Sequence, residues 1–216
     1  MRKLLILGDK GRIGSVLEKE SYSNYEVFGF DLLSGYDLTK RSHMEKALNY
    51  SKPDCIVNCT YPPSFLDHIR IAYNAIIYGV TSMMDRGNRN WYFNGGRIIN
   101  IASIYGIVGQ KPEMYHETGV EQASLFYNAA KGATIAMTKG AAQYAENGIS
   151  VNCVSPGGIL TEDMPQRFVT AYNRRNPARQ MCSEIDVVNA ILFLLKPESG
   201  YIVGHNLVVD GGFTAW

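Results

Sequence analysis

The chain has 216 residues, of which 46% are hydrophobic and 19% charged, and its 21 basic side chains nearly balance its 20 acidic ones. This composition is typical of a globular protein and excludes a disordered or fibrous one. Without a basic run or an acidic tail, the sequence argues against nucleic-acid binding and against attachment to a membrane surface. The length fits one large α/β domain, and we expect residues 1–216 to form a single domain.

The amino terminus and the cysteines both indicate a cytoplasmic protein. The start imitates a signal peptide, but its apolar stretch, Leu4–Leu7, passes directly into Gly8-Asp9-Lys10 without a cleavage site, which predicts a strand instead. No group of Cys and His residues has the spacing of zinc ligands, so we expect no metal site. Reduced, mostly buried thiols are expected at Cys55, Cys59, Cys153 and Cys182.

Strand and helix patterns alternate along the chain. Short apolar runs, typical of strands buried on both faces, predict strands at Leu4–Leu7, Glu26–Asp31, Asp54–Cys59, Arg97–Ala102, Ile149–Val154 and Asn206–Val209. Helical periodicity and capping residues predict helices at Ile13–Glu20, Ser42–Tyr50, Ile69–Met84, Ser124–Glu146, Pro165–Tyr172 and Ser183–Leu195. The alternation predicts one parallel sheet that is doubly wound, with helices on both faces, in a three-layer α/β/α domain.

A glycine-rich turn, Gly8-Asp9-Lys10-Gly11-Arg12-Ile13-Gly14, lies between the first predicted strand and helix. Glycine allows positive φ and lets a pyrophosphate approach the backbone N–H groups, and the helix N-terminus adds partial positive charge. A plain tight turn also uses glycine, but this position favours a dinucleotide site. Asp31 ends the second strand and favours NAD, because a carboxylate binds both ribose hydroxyls and repels a 2′-phosphate. Lys10 or Arg12 can reach a phosphate, so NADP stays possible.

Tyr127 and Lys131 are four residues apart on a predicted helix and therefore share one face. A nearby ammonium and an oxidised nicotinamide lower the pKa of a phenol, which then serves as proton donor and acceptor for an alcohol or carbonyl. The same spacing at Tyr36 and Lys40 follows the second strand, where we expect no substrate site. Ser103 ends a predicted strand at the edge where parallel sheets bind ligands, so its hydroxyl can hold a substrate oxygen.

Together these features resemble the short-chain dehydrogenases/reductases over nearly the whole chain. Besides the glycine turn and Tyr127-x-x-x-Lys131, the resemblance is carried by residues 96–103, 149–159 and 204–212 and by Thr161. It implies a Rossmann fold in which Tyr127 is the general acid/base and Lys131 lowers its pKa and holds the nicotinamide ribose. Ser103 would orient the substrate oxygen, and Asn74 would support a proton relay.

The resemblance also implies the cofactor contacts, with NAD favoured. Ile159 and Thr161 would contact the nicotinamide carboxamide, and Asp37 and Leu38 would lie at the adenine. The full set expected at the cofactor is Gly8, Lys10, Gly11, Arg12, Ile13, Gly14, Asp31, Asp37, Leu38, Asn58, Cys59, Thr60, Ile101, Tyr127, Lys131, Pro156, Gly157, Ile159 and Thr161.

The sequence departs from the usual family pattern. The glycine spacing and Lys52–Cys59 look more like the extended, sugar-nucleotide branch, and Asn58-Cys59-Thr60-Tyr61 replaces the usual Asn-Asn-Ala-Gly. The short spacing from Asp31 to Asp37 predicts that the second helix is missing. The connection from Ser103 to Tyr127 is longer than in typical members and resembles dehydrogenases from bacterial surface-glycan and flagellin-sugar loci.

Three functions are compatible with these residues. The favoured one is an NAD(P)-dependent oxidoreductase that interconverts a secondary alcohol and a ketone, on a sugar or nucleotide sugar. The alternatives are a regulatory protein that senses the dinucleotide without turnover and a sugar-nucleotide epimerase or dehydratase with bound NAD. Intact Ser103, Tyr127 and Lys131 argue against a pure sensor. We expect a small-molecule substrate and, from the Ala-rich helix with Gly132 and Gly140, a homodimer or homotetramer.

Overall fold

The computed structural model describes residues 1–62, 64–85, 95–116 and 118–216. In these ranges six strands and six α-helices alternate, in the order predicted from the sequence. The strands are β1 (Arg2–Leu7), β2 (Tyr25–Phe30), β3 (Cys55–Asn58), β4 (Gly96–Ile101), β5 (Ile149–Pro156) and β6 (Asn206–Val209). The helices are α1 (Arg12–Ser21), α2 (Arg41–Ser51), α3 (Phe65–Met84), α4 (Leu125–Gly140), α5 (Gln166–Arg175) and α6 (Glu184–Leu195).

The strands form one parallel sheet in the order β2-β1-β3-β4-β5-β6. The chain moves from β1 to β2 in one direction and then crosses back to add β3 on the other side of β1. A crevice opens at the carboxyl ends of the strands where the direction reverses, and open α/β sheets bind ligands there. The topology therefore places a ligand site between the ends of β1 and β3.

Alternate side chains of the buried strands pack on opposite faces of the sheet. Leu5, Ile56 and Ile98 join a core with residues of α2 and α3, while Leu4, Cys55 and Ile99 join a core with residues of α1 and α6. This alternation follows from the two-residue period of a strand. The predicted doubly wound, three-layer α/β/α fold is confirmed.

The segment between β2 and α2 is short, as the spacing from Asp31 to Asp37 predicts. Residues 31–40 contain one 3₁₀ turn, Leu32–Ser34, and no α-helix. The turn begins with the Asp31 carboxylate accepting a hydrogen bond from the Leu33 N–H at 2.8 Å. The crevice beside β2 is consequently bordered by this turn, so Asp31, Leu32 and Leu33 all line the cavity described below.

Two predicted helices differ from the observed ones. The predicted helix Ser124–Glu146 is wrong in its last part, because α4 ends at Gly140 and a 3₁₀ segment, Ala141–Asn147, follows. The helix from Ile69 begins earlier, at Phe65. Within it, a Cβ at Gly79 would lie 2.6 Å from the Ile56 Cδ1 atom, so close packing on the sheet explains this glycine.

Within the described ranges, every helix is too short or too polar to cross a membrane. In the same ranges, no three His, Cys, Asp or Glu side chains are grouped so that they can hold a metal ion.

Candidate active site

A cavity of about 1010 Å³ lies at the carboxyl edge of the sheet. Its walls come from the segments that follow β1, β2, β3 and β4, the end of β5 and the start of α4. The predicted site residues that line it are Gly8, Lys10, Gly11, Arg12, Ile13, Asp31, Asp37, Leu38, Cys59, Thr60, Ile101, Ser103, Tyr127, Lys131, Pro156, Gly157 and Ile159. The fold thus brings one end of the glycine turn and the Tyr127 region to a single cavity.

The glycine turn is shaped by close backbone contacts. Gly8 has φ +83°, and its amide donates a hydrogen bond to the Phe30 carbonyl oxygen at 2.8 Å. A Cβ on Gly14 would overlap the carbonyl oxygen of Gly8, so only glycine lets α1 begin this close to the turn. Gly11 caps α1 without a side chain, which leaves the helix N-terminus open to the cavity. Gly14 itself is buried beneath the turn and does not line the cavity.

Both cations of the turn have acidic partners. The Lys10 ammonium lies 2.6 Å from the Asp9 carboxylate and 3.7 Å from that of Glu18. The hydrogen bond to Asp9 raises the pKa of Lys10 above its usual value. Arg12 lies 3.7 Å from the Glu184 carboxylate at the start of α6. Both cations therefore line the cavity with an acidic neighbour beside them.

Polar and aromatic groups form the end of the cavity near β2. Asp37 accepts hydrogen bonds from the amide and the hydroxyl of Thr39, and these bonds lower the pKa of Asp37. The Asp37 amide donates to His43 Nδ1 at 2.9 Å. Tyr36 lines the same cavity, with its ring 4.6 Å from that of Phe30. Tyr36 is therefore part of the ligand-binding wall, although the sequence analysis set it aside, and it does not share a helix with Lys40.

At the other end, Ser103, Tyr127 and Lys131 lie together. The Ser103 hydroxyl is near enough to the Tyr127 phenol to lower the pKa of Tyr127. The Ser103 oxygen accepts the Tyr105 N–H at 3.2 Å, which leaves the hydroxyl proton for another partner. Lys131 is buried and donates to the Ile101 carbonyl oxygen at 2.8 Å. The predicted acid/base group is thus assembled from the end of β4 and the first turns of α4.

Burial dominates the electrostatics of this group. Desolvation raises the pKa of Tyr127, and the Ser103 hydroxyl opposes that rise. Desolvation lowers the pKa of Lys131 to about 8. The sequence predicts that Lys131 and an oxidised nicotinamide lower the pKa of Tyr127. Without a bound cofactor, burial outweighs any lowering of that pKa, so the phenol is protonated at neutral pH.

Four of the predicted site residues do not line the cavity: Gly14, Asn58, Asn74 and Thr161. Asn58 is buried, donates to the Asn100 side-chain oxygen at 2.9 Å and accepts from the Thr60 hydroxyl at 2.7 Å, so it shapes the segment after β3. The Thr161 hydroxyl lowers the pKa of Asp163, which does not line the cavity either. Asn74 is buried in α3, on the helical stripe of the lining residues Asp67 and Ile71, one turn further along. The roles of these residues stay predictions.

Several lining residues escaped the sequence analysis. Tyr61, Tyr105 and Met164 surround the end of the cavity beside Tyr127. The Tyr105 hydroxyl is hydrogen-bonded to that of Tyr115, whose ring lies 5.3 Å from Phe168 of α5. The long connection between Ser103 and Tyr127 therefore forms the outer wall here. No spacing rule links these residues, since they come from separate segments.

The shape of the cavity fits a nicotinamide dinucleotide. The open N-terminus of α1 suits a pyrophosphate, and Asp31 and Asp37 suit the adenosine. Near Lys131, a Cβ on Gly157 would lie 2.9 Å from the Tyr172 hydroxyl and 3.1 Å from Asp210 Cα, so the backbone itself forms the wall. Fold and site together define a dinucleotide-binding protein with a Rossmann fold.

Comparisons with known proteins agree with this class. A family model described as enoyl-(acyl carrier protein) reductase matches residues 64–214. Post-translational flagellin modification protein A of Campylobacter coli is 28% identical over 97% of this chain and 97% of its own length. A short-chain dehydrogenase of Leptospira borgpetersenii, solved with bound NAD+, has a TM-score of 0.76 and 28% identity over 99% of this chain and 93% of that one.

Galactitol 2-dehydrogenase (L-tagatose-forming) of Cereibacter sphaeroides is 33% identical over 56% of this chain, but the match spans only 46% of that relative's length. Because the family model covers more than half of the chain, the chain belongs to the short-chain dehydrogenase/reductase family, whose members are NAD- and NADP-dependent oxidoreductases. The resemblance inferred from the sequence is confirmed.

Proposed function

We propose that the chain is an NAD(P)-dependent oxidoreductase that interconverts a secondary alcohol and a ketone, with a sugar or nucleotide sugar as substrate. The observation that carries the proposal is that Ser103, Tyr127 and Lys131 line the same cavity as the glycine turn, with the Lys131 ammonium 5.7 Å from the centroid of the Tyr127 ring. A protein that only senses a dinucleotide has no need of this acid/base group.

The chain's own residues account for the proton chemistry. Ser103 holds the substrate oxygen beside the Tyr127 hydroxyl. Tyr127 gives its proton to a carbonyl oxygen in reduction and takes the hydroxyl proton in oxidation. A bound nicotinamide supplies or accepts the hydride at the substrate carbon. The Lys131 ammonium, fixed by the Ile101 carbonyl, stabilises negative charge on the Tyr127 oxygen and offers its remaining N–H groups to a ribose hydroxyl.

The lining near Tyr127 supports a neutral sugar ring at the reacting end of the substrate. Tyr61, Tyr105, Pro62, Ala123 and Met164 offer apolar and aromatic surface, and Lys131 is the one cation among the described lining residues at this end. Pockets of this kind bind through apolar contact and orient the ligand with a few polar groups. The names of two relatives, a galactitol dehydrogenase and a flagellin modification protein, point to carbohydrate chemistry.

The test is a spectrophotometric screen. Purified protein is incubated with NAD or NADP, oxidised and reduced, and with sugar alcohols, sugar phosphates and nucleotide sugars. We expect a substrate-dependent change in the absorbance of the reduced nicotinamide. Binding of cofactor without any such change across the screen would favour the regulatory protein. Cofactor that stays bound through purification, with sugar-nucleotide conversion but no net absorbance change, would favour the epimerase or dehydratase.

A further inference from the structure

Three aromatic rings meet beside the acid/base group. The rings of Tyr61 and His68 are 5.2 Å apart between centroids, His68 and Tyr127 are 6.1 Å apart, and Tyr61 and Tyr127 are 6.0 Å apart. The imidazole meets both phenol rings nearly edge-on, at 83° and 80°. Such edge-to-face contacts are favourable and set the angle of the rings. We call Tyr61, His68 and Tyr127 the ring cluster.

His68 is the buried member of the ring cluster. It lies in the first turn of α3, is 9% exposed and does not line the cavity. Its ring contacts that of Tyr61, in the segment that follows β3, and that of Tyr127, in α4. The imidazole therefore lies between a residue of the cavity wall and the predicted acid/base group.

The first turn of α4 around Tyr127 is largely exposed. The two residues before Tyr127, Leu125 and Phe126, are 85% and 68% exposed. Helical packing therefore holds one side of the tyrosine, and His68 contacts its ring from the neighbouring helix. The effect of the Ser103 hydroxyl on the pKa of Tyr127 depends on where that ring lies, since hydrogen bonding weakens steeply with distance and angle.

We propose that His68 is a positioning residue that holds the Tyr127 ring in place beside the Ser103 hydroxyl. Its contact with Tyr61 ties the position of Tyr127 to the cavity wall formed by Thr60, Tyr61 and Pro62. Burial lowers the pKa of His68 to about 4, with a further contribution from the charge of Lys131. The ring is consequently neutral at physiological pH and adds no second cation beside Lys131.

The first experiment follows the phenol of Tyr127 directly and needs no substrate. Protein labelled with ¹³C at Tyr Cζ is titrated by NMR from neutral to alkaline pH, and the signal that Tyr127→Phe removes is that of Tyr127. The Ser103 hydroxyl holds the pKa of Tyr127 down, so losing it raises that pKa. We expect His68→Leu to raise the pKa of Tyr127 as Ser103→Ala does, and to add nothing in the Ser103→Ala background.

Two further variants control this experiment. His68→Phe keeps a ring at the position, so its effect is smaller than that of His68→Leu. His205→Phe replaces an exposed histidine just before β6 and leaves the titration unchanged. An unchanged or lowered pKa of Tyr127 in His68→Leu overturns the proposal, as does an equal rise in the presence and absence of Ser103. If His68→Leu does not fold, His68→Met takes its place, and an unchanged titration in that variant overturns the proposal.

A second readout rests on the proposed function. With a substrate in hand, His68→Leu lowers kcat by roughly ten- to a hundredfold, because a displaced catalytic group costs that much, while KM for the cofactor stays within about twofold. In a Tyr127→Phe background His68→Leu has no additional effect on the residual rate. If His68→Leu lowers kcat by the same factor in the wild type and in Tyr127→Phe, His68 does not act through Tyr127. The NMR result stands whether or not turnover is found, so the two proposals fail separately.

Discussion

The Lys131 ammonium nitrogen lies 5.7 Å from the centroid of the Tyr127 ring, although its hydrogen bond goes to the backbone of Ile101 at 2.8 Å. Lys131 is thus held by the sheet, with its cation near the face of the phenol ring. The carbonyl of Ile101 therefore sets the position of the cation relative to Tyr127.

Removing the phenol oxygen tests the acid/base role. Tyr127→Phe is expected to lower turnover by about 10²–10⁴-fold, because the proton donor is lost while ring packing remains. The affinity for the cofactor, measured by titration calorimetry, should change little. Tyr201→Phe is the matched control, since Tyr201 is 93% exposed. Wild-type turnover in Tyr127→Phe would rule out the proposed mechanism.

The cofactor preference depends on Asp31. NAD is expected to bind more tightly than NADP, because the carboxylate repels a 2′-phosphate and both Lys10 and Arg12 are paired with acidic groups. Asp31→Asn removes the repulsion and should narrow the difference in Kd between the two oxidised cofactors. Asp85→Asn, at an exposed position after α3, is the control. Tighter binding of NADP to the wild type would show that Lys10 or Arg12 decides the preference.

The buried Lys131 makes stability depend on pH in a defined direction. Its pKa is about 8 in the folded protein, against the usual lysine value of 10.5. Between these values the unfolded chain binds more protons, so the free energy of unfolding rises with pH through this window and falls as pH drops through about 8. The difference in stability between wild type and Lys131→Met should therefore shift in favour of the wild type from pH 7 to 9.5, measured by urea unfolding.

The exposed Lys139 of α4 provides the control for that series. Lys139→Met removes a lysine at an exposed position of the same helix and is measured over the same pH range, so that the two differences can be compared. A difference for Lys131→Met that does not change with pH would mean that water reaches Lys131 in the folded protein.

The sequence predicts what local patterns determine and misses what the fold assembles. Alternating apolar runs and the glycine turn are local patterns, so the sheet and the end of the cavity beside the glycine turn can be predicted from them. Tyr127 and Lys131 are one helical turn apart, and that spacing places them together in any helix. His68, Tyr61 and Tyr105 come from different segments, and only the packing of α3 against α4 brings His68 to Tyr127.

Tyr36 is another residue whose place in the cavity wall the sequence does not predict. Its spacing to Lys40 imitates that of Tyr127 and Lys131, and the sequence alone predicts no substrate site there. Because the connection from Asp31 to Asp37 is short, the segment after β2 turns back over the crevice, so Tyr36 lines the cavity near Asp31 and Asp37. The length of a connection shows that an element is missing, but not which side chains take its place.

The outer face of α4 is the basis of the last prediction, a homodimer or homotetramer. A Cβ on Gly140 would meet nothing within 4 Å, and Gly132 would meet only the Gly106 oxygen, at 3.7 Å. Packing within the protomer therefore does not explain Gly140. The same face carries exposed Ala136 and the largely exposed Leu125 and Phe126. Exposed apolar surface of this kind on a helix is typical of a contact between subunits.

Substitutions on this face should break the assembly without harming the protomer. Gly140→Leu has open space around it and replaces glycine with a good helix former, so we expect the subunit to fold at least as stably. Ala136→Glu would bury a charge in the contact, which is costly when unpaired. Sedimentation velocity should show dimers or tetramers for the wild type and smaller particles for both variants. Gln143→Glu, one turn beyond the end of α4, tests whether an added negative charge alone causes dissociation. A wild type that sediments as a monomer at micromolar concentration would refute the assembly.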